Sequence, residues 1–377
     1  MMRTMTTTDR DAGDREVLEA IAEAWGARVV DCALISRESG ARGVVAGWRL
    51  DVEGDDGASS HVLYLDDPED GLAPAGTALV TGPAGTRRVW RYPEDPALPA
   101  LATVAVPDAV RVLLGRLGVE AELTGLELAS YRPGRRGVVR IVTTAGDLYA
   151  KVTRPDRVDE LAARHDAWQA AGLPSPPVLA RSSTGLLVLG ALPGRPAPDV
   201  LAEVDPAAFA DAVAELRDRI AGIPLDLPAR PGAAARLDWY AERFGALHPH
   251  LAGAAAEVAR MPVPSAADPV VVHGDLHVGQ LLVDPADPTR IVGVLDVDTS
   301  GLGDATNDDA AMWAHLVVSA SRGLPGAAAL ADELRGRWST QRIAAGAAAL
   351  LLGHGLSGHL PAEEAVGLAL SLAPSPA

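Results

Sequence analysis

At 377 residues the chain is long enough for two or three domains, and 48% hydrophobic with 22% charged residues is a globular profile. A formal net charge of −17 argues against nucleic acid or an anionic membrane as partner, because phosphate surfaces demand clustered Lys and Arg. Aromatic residues make up only 4%, so the core must be built from Ala, Val and Leu, and the single cysteine, Cys32, can form neither an intramolecular disulfide nor a zinc cluster.

Residues 1–14 are polar, lack the apolar stretch of a signal peptide and are expected to form a disordered tail. Residues 15–26 place Val17, Leu18, Ile21, Ala22 and Trp25 on one helical face. Five strand-like runs follow (ARVVDCALI, RGVVAGWRLDV, SHVLYLD, TALVTG, TRRVWRYP), parted by turn signals such as ESGAR, PEDGLAPAG and GPAG. Together they predict a small α+β unit over 15–95. PEDPALPALA (93–102) reads as a linker, since proline sits badly inside a sheet or helix.

A short amphipathic helix is expected over 107–118, then the strands LELASYR, GVVRIVTT and LYAKV, then a helix over 156–172. Two more strands lie within 176–194. Beyond 195 the pattern is helical, including one long helix over 236–261, apart from a β interruption at 269–298. The longest apolar run, 344–353, is too short to span a bilayer, and a cytoplasmic protein is expected. An antiparallel sheet with one helix, a second set of strands and a helical half whose chemistry sits on a β-rich loop is the layout of a two-lobed kinase.

The informative stretch is VVHGDLHVGQLLVD (271–284). Asp275 follows an apolar strand, where a tight loop can present it at a cleft, and Gly274 permits the turn that aims it. Phosphoryl transfer to a hydroxyl needs a carboxylate that accepts the hydroxyl proton, and hard oxygen ligands for Mg²⁺. Gln280, five residues on, offers an amide oxygen. The strand IVGVLDVD (291–298) carries Asp296, which could chelate from the other side of a hairpin. His273 and His277 are four residues apart, but the flanking runs are strand-like and no third ligand is suitably spaced, so a zinc pair is not expected.

HGDLHVGQLLVD with VLDVDTSGLGD resembles the catalytic loop and metal-binding Asp of the aminoglycoside phosphotransferase superfamily, small-molecule kinases of protein-kinase-like fold. The resemblance covers about 124–320. Gln280 stands where the usual pattern has Asn, which is similar to maltokinases and glucosamine kinases; those also carry an N-terminal cap. The resemblance implies an α+β, two-lobed fold with a small β-rich N-lobe, a large helical C-lobe and an additional N-terminal α+β cap domain. The implied boundaries are a cap at 15–103, an N-lobe at 104–192 and a helical lobe at 193–377. It implies Asp275 as base, His273 as support of its loop, and Gln280 and Asp296 as metal ligands. It further implies Lys151 as the phosphate-binding lysine, with Glu160 as its ion-pair partner unless neighbouring Asp159 takes that place. Leu189 and Ala191 fall at the adenine-binding hinge, and PGRRG (133–137), with Arg135, falls at the loop over the triphosphate.

The implied reaction is ATP-dependent (GTP possible) and uses Mg²⁺ to phosphorylate a hydroxyl of a sugar or amino sugar. An aminoglycoside antibiotic as acceptor and a non-catalytic nucleotide-binding pseudokinase are the alternatives. A monomer or homodimer is expected. Asp298, Asp304, Asp308 and Asp309 form an acidic group that could take the ammonium of an amino sugar. Against that, Asp304 is expected to buttress the catalytic loop, and Asp308 and Asp309 suit the positive end of a helix. Trp239, Tyr240 and Trp313 could stack on a sugar, although core packing is the default reading.

Overall fold

The computed structural model describes residues 7–40, 43–68, 72–82, 85–338 and 340–372. The first six residues and the turn positions 41–42, 69–71 and 83–84 of the sequence reading lie outside them. The chain divides into two compact units, one of residues 1–162 with 178–191 and the other of residues 163–177 with 192–377.

The first unit opens with α1 (Thr7–Ala24), which starts well before Arg15 and so replaces the second half of the expected disordered tail. The cause is Asp14, buried at 1% exposure, which accepts hydrogen bonds from Trp48 Nε1 (3.3 Å) and Arg87 Nε (2.9 Å). A polar tail with one such anchored carboxylate gains enough from tertiary contact to order. Strands β1 (Arg28–Gly40), β2 (Gly43–Gly54), β3 (Gly57–Asp66), β4 (Thr77–Gly82) and β5 (Gly85–Trp90) form an antiparallel sheet in the order β1-β2-β3-β5-β4. Its alternating inward residues, Trp48, Leu50, Val52, Leu63 and Leu65, pack on Val17, Leu18 and Ala22 of α1.

The segment after β5 is no free linker. Leu98, Ala100 and Leu101 are buried, and the chain turns into α2 (Leu101–Ala105) and α3 (Pro107–Arg116). These cover one face of a second antiparallel sheet made of β6 (Leu123–Arg132), β7 (Arg136–Thr143), β8 (Gly146–Thr153), β9 (Val178–Ser182) and β10 (Leu186–Gly190), in the order β6-β7-β8-β10-β9. The other face takes the start of α4 (Val158–Ala170), where Val158, Leu161 and Ala162 meet Leu187 and Leu189. Apolar residues on both faces of β8 and β10 make this the better buried of the two sheets.

The second unit contains β11 (Arg195–Pro196), α5 (Pro206–Ala221), α6 (Leu237–Leu247), α7 (Ala252–Ala259), β12 (Val270–Val272), β13 (Leu281–Val283), β14 (Ile291–Val294), β15 (Gly301–Gly303), α8 (Thr306–Ser321), α9 (Ala327–Trp338), α10 (Gln341–Leu356) and α11 (Ala362–Ser371). The single long helix expected over 236–261 is two helices, because Pro249 cannot continue the hydrogen-bond ladder and forces His248 out of helical geometry. Alanines of α10 let it lie close against α8 and α6. Among the described residues no helix is long and apolar enough to cross a membrane.

Candidate active site

The loop after β12 is held at nearly every backbone group. His273, fully buried, donates from Nε2 to the Leu295 carbonyl (2.9 Å) and accepts at Nδ1 from the Asp275 amide (3.3 Å). That pair of contacts assigns a neutral ring with its proton on Nε2. Trp168 meets the ring edge-on at 5.7 Å and donates to Ser300 Oγ, which in turn donates to the Val272 carbonyl. Thr299 Oγ1 donates to the His273 carbonyl (3.0 Å). Gly274 has φ +86°, and a Cβ there would lie 2.6 Å from the Thr299 carbonyl oxygen, so no other residue fits.

Asp308 is the acceptor for both the His273 amide (2.7 Å) and the Gly274 amide (2.8 Å). Burial pushes its carboxyl up from the ordinary range, while these amides pull it back. The side chain that buttresses the loop is therefore Asp308. Asp304, expected in that role, accepts from Thr306 at the start of α8 and from Arg342 Nε (2.5 Å). Burial opposes its ionisation, but the Thr306 and Arg342 contacts outweigh it and hold the carboxyl low. Asp309 is ion-paired with Arg217. Asp298 accepts from Arg164 Nε through its backbone (2.8 Å), and its carboxylate lies 3.6 Å from His165. The carboxylates of Asp304, Asp308 and Asp309 are thus engaged by protein groups, which leaves little of the expected acidic cluster open to an ammonium. Asp308 and Asp309 do sit in the first turn of α8.

Asp275 itself is 30% exposed, with its carboxylate 3.5 Å from Arg230. It lines a small concavity with Gly274, Asn307, Arg230, Arg236 and Tyr240. Asn307 donates to the Gly274 carbonyl (3.3 Å) and accepts from the Ala233 amide (3.2 Å). Gln280 ends a 3₁₀ turn, and its carbonyl accepts from the Leu295 amide (2.8 Å). Because β13 and β14 pair in antiparallel register, Leu281 against Val294, that bond sets Gln280 and Asp296 at one end of the hairpin. The same Leu295 carries the His273 contact, so the Asp275 loop and both metal-ligand candidates meet there. Asp296 has φ +55°, the only described non-glycine residue in the left-handed region, a conformation that Asp tolerates and that collects at functional positions. Among the described residues no set of three His, Cys, Asp or Glu could hold a metal. One carboxylate and one amide oxygen suit Mg²⁺, which keeps water and takes phosphate oxygens for its remaining positions.

In the first unit, Lys151 is 8% exposed on β8, between Val138 of β7 and Leu187 of β10. Glu160 pairs with Arg157 (3.0 Å). Leu189 is buried in β10 opposite Tyr149, and Ala191 is exposed just beyond the strand. Arg135 lies 3.4 Å from Glu38 of β1.

Sequence reasoning missed Arg230 and Arg236, which come from positions with no motif around them, and Asn307, which directly precedes Asp308. It also missed a row of imidazoles. His277 stacks on His315 (3.9 Å between rings), followed by His354 at 4.8 Å and His359 at 5.8 Å. Burial, then the neighbouring rings and charges, lowers His277 to about 4, His315 to about 3 and His354 to about 4 from 6.5. Folded-state values below the unfolded one mean that the neutral rings stabilise the protein above pH 6.5. That contribution drains away as pH falls toward 4, since only the unfolded chain takes up the protons. Thermal unfolding between pH 7 and 4 is expected to show a steep loss of stability in the wild type and a shallower one in His315→Gln. Parallel slopes would remove the cluster as the cause. Trp313 and Tyr240 are core residues at 4% and 8% exposure. Trp239 is 49% exposed, with the Arg236 guanidinium 4.7 Å over its ring.

Three solved structures show what the chain is similar to. An aminoglycoside phosphotransferase in complex with GDP and kanamycin is 12% identical, with 70% of this chain and 96% of that one covered at a TM-score of 0.47. A macrolide 2'-phosphotransferase from Brachybacterium faecium is 20% identical, covering 72% and 99% at 0.44. An aminoglycoside phosphotransferase from Streptomyces rimosus, in complex with ADP and streptomycin, is 20% identical, covering 65% and 99% at 0.42. No curated protein sequence matches the chain. The family model described as "Phosphotransferase enzyme family" matches residues 134–345, more than half of the chain and all of the loop just built from His273 to Asp308, and the chain belongs to that family.

Proposed function

We propose that the protein transfers the terminal phosphoryl group of ATP (or GTP) to a hydroxyl of a sugar or amino sugar. The observation that carries this reading is the single end of the β13–β14 hairpin at which the Asp275 loop, Gln280 and Asp296 are tied together through Leu295. The Asp275 carboxylate orients the acceptor hydroxyl and takes its proton as the new O–P bond forms and the nucleoside diphosphate leaves. His273 keeps the loop in register. Gln280 and Asp296 would hold Mg²⁺, which when bound offsets charge on the phosphates. Lys151, supported by Glu160, would position the α- and β-phosphates, Arg135 would lie near them, and the backbone around Leu189 and Ala191 would hold the adenine.

In this reading residues 15–103 are a cap, 104–192 the N-lobe and 193–377 the helical lobe of a cytoplasmic enzyme. The cations Arg230 and Arg236 beside Asp275 favour a neutral sugar hydroxyl over a polycationic antibiotic. The test is a panel of sugars, amino sugars and aminoglycosides assayed with γ-labelled ATP and GTP. Transfer to an aminoglycoside alone would make it a resistance enzyme. Mg-ATP binding with no transfer to any acceptor would make it a pseudokinase. A direct check of the metal assignment is Asp296→Asn, expected to raise the Mg²⁺ concentration needed for half-maximal nucleotide binding by about tenfold. An unchanged requirement would remove Asp296 from the ligand set.

A further inference from the structure

Asp95, in the segment between the two sheets of the first unit, is a carboxylate at 3% exposure. Among the described residues no cation pairs with it; its contacts are to neutral donors. Oδ2 accepts from the Gly134 amide (2.7 Å) and from the Tyr131 hydroxyl (2.8 Å), and Oδ1 accepts from the Ala97 amide (2.9 Å). Burial pushes its carboxyl up from the ordinary range, although the Gly134 and Ala97 amides and Tyr131 work the other way. Taking a carboxylate out of water without a counter-charge is expensive, so the arrangement is maintained against a standing cost.

What it holds is the 133–136 turn between β6 and β7. A second tether reaches that turn from the first sheet. Glu38 of β1 accepts from Arg132 at Nε (3.2 Å) and at Nη2 (2.8 Å), and Arg135 lies 3.4 Å from the same carboxylate. Val45 of β2 also lies close to the turn, since a Cβ added at Gly134 (φ +69°) would come 3.2 Å from its side chain. Around them Trp90 donates to the Tyr131 hydroxyl (3.3 Å), and Tyr64 and Tyr92 pack edge-on against the Tyr131 ring. The Gly134 amide is taken by Asp95 and the Arg135 amide by the Arg132 carbonyl (3.0 Å). Two of the groups that fix the turn, Asp95 and Glu38, therefore lie outside the sheet it belongs to.

We propose that the first sheet and the segment after it are a support that sets nucleotide affinity by fixing the 133–136 turn, with Asp95 as a positioning residue and Glu38 as its outer tether. This rests on the reading of that turn as the loop over the triphosphate. A turn anchored at Gly134 and at Arg132 enters binding already ordered and loses less conformational entropy when phosphates arrive. Releasing either anchor returns that entropy to the free protein and weakens nucleotide, without touching the acceptor.

Asp95→Ala and Glu38→Ala are each expected to weaken ADP with Mg²⁺ in calorimetry about tenfold, the loss of one charge-assisted tether. Amide exchange over 132–136 should quicken in both. KM for ATP should rise by the same factor, with kcat and the acceptor KM unchanged. Asp95→Asn, which keeps an acceptor for Gly134, should recover part of the affinity. Glu38 sits at the rim with its side chain 20% exposed, so its variant tests the idea even if Asp95→Ala does not fold. Faster exchange at the turn with unaltered ADP affinity overturns the support role and leaves the kinase reading standing. A wild-type protein that binds no nucleotide overturns both.

Discussion

Asp275→Asn is expected to lower phosphoryl transfer by about 10²–10⁴-fold, the usual worth of a positioned general base, while nucleotide affinity and thermal stability stay close to wild type. The reasons are local. Asn matches Asp in shape, and the Asp275 amide that binds His273 Nδ1 belongs to the backbone, so the loop keeps its register. The one ion pair lost is to Arg230, whose side chain is 44% exposed, and such pairs contribute about 0–1 kcal/mol. What disappears is the ability to take a proton. Turnover with the best acceptor, calorimetry with Mg-ADP and a melting curve on one preparation separate the outcomes. Undiminished turnover would remove Asp275 as base, and a collapse of the melting temperature would show that its role is structural.

Asp308→Ala should behave in the opposite way, destabilising the protein and abolishing transfer as a consequence. Asp308 touches no surface where a substrate could reach it. Its two oxygens satisfy the amides of His273 and Gly274, and both donors are buried. Truncation strands two buried N–H groups at about 1–3 kcal/mol each. At roughly 2–4 °C per kcal/mol for a large domain, the melting temperature is expected to fall by about 4–24 °C. Asp308→Asn keeps one acceptor and turns an NH₂ toward the other amide, so it should fall between. A melting temperature within a degree of wild type in Asp308→Ala would show that water replaces the carboxylate at no cost, and the buttress role would be lost.

These two aspartates separate what could be read along the chain from what could not. The strands β1–β10 and the helices flanking them were legible because burial on one face of a sheet imposes a period of two, burial on both faces a short continuous apolar run as in β10, and burial on a helix a period near four, over contiguous residues. The misreadings fall where a distant contact outweighs local preference. Asp14 draws the polar N-terminal segment into α1. Leu98 and Leu101 bury a stretch whose prolines looked like a linker. Pro249 divides a helix that composition alone would continue.

At the site, Asp275, Gln280 and Asp296 could be proposed from the sequence, because a loop between two short strands sets their spacing along the chain. Which acid supports them could not, since Asp304 and Asp308 are four residues apart around the start of α8 and only the seating of that helix against the loop after β12 selects Asp308. Arg230 lies 45 residues before Asp275 in the sequence, and the imidazole row draws His277, His315, His354 and His359 from a loop, two helices and the turn after α10; such juxtapositions leave no periodic trace. By itself, then, the sequence determined most of the elements and the groups proposed to react, whose preferences act over a few bonds. The tertiary structure decided who holds those groups, because a buried amide or carboxylate must be satisfied by whatever the fold brings beside it.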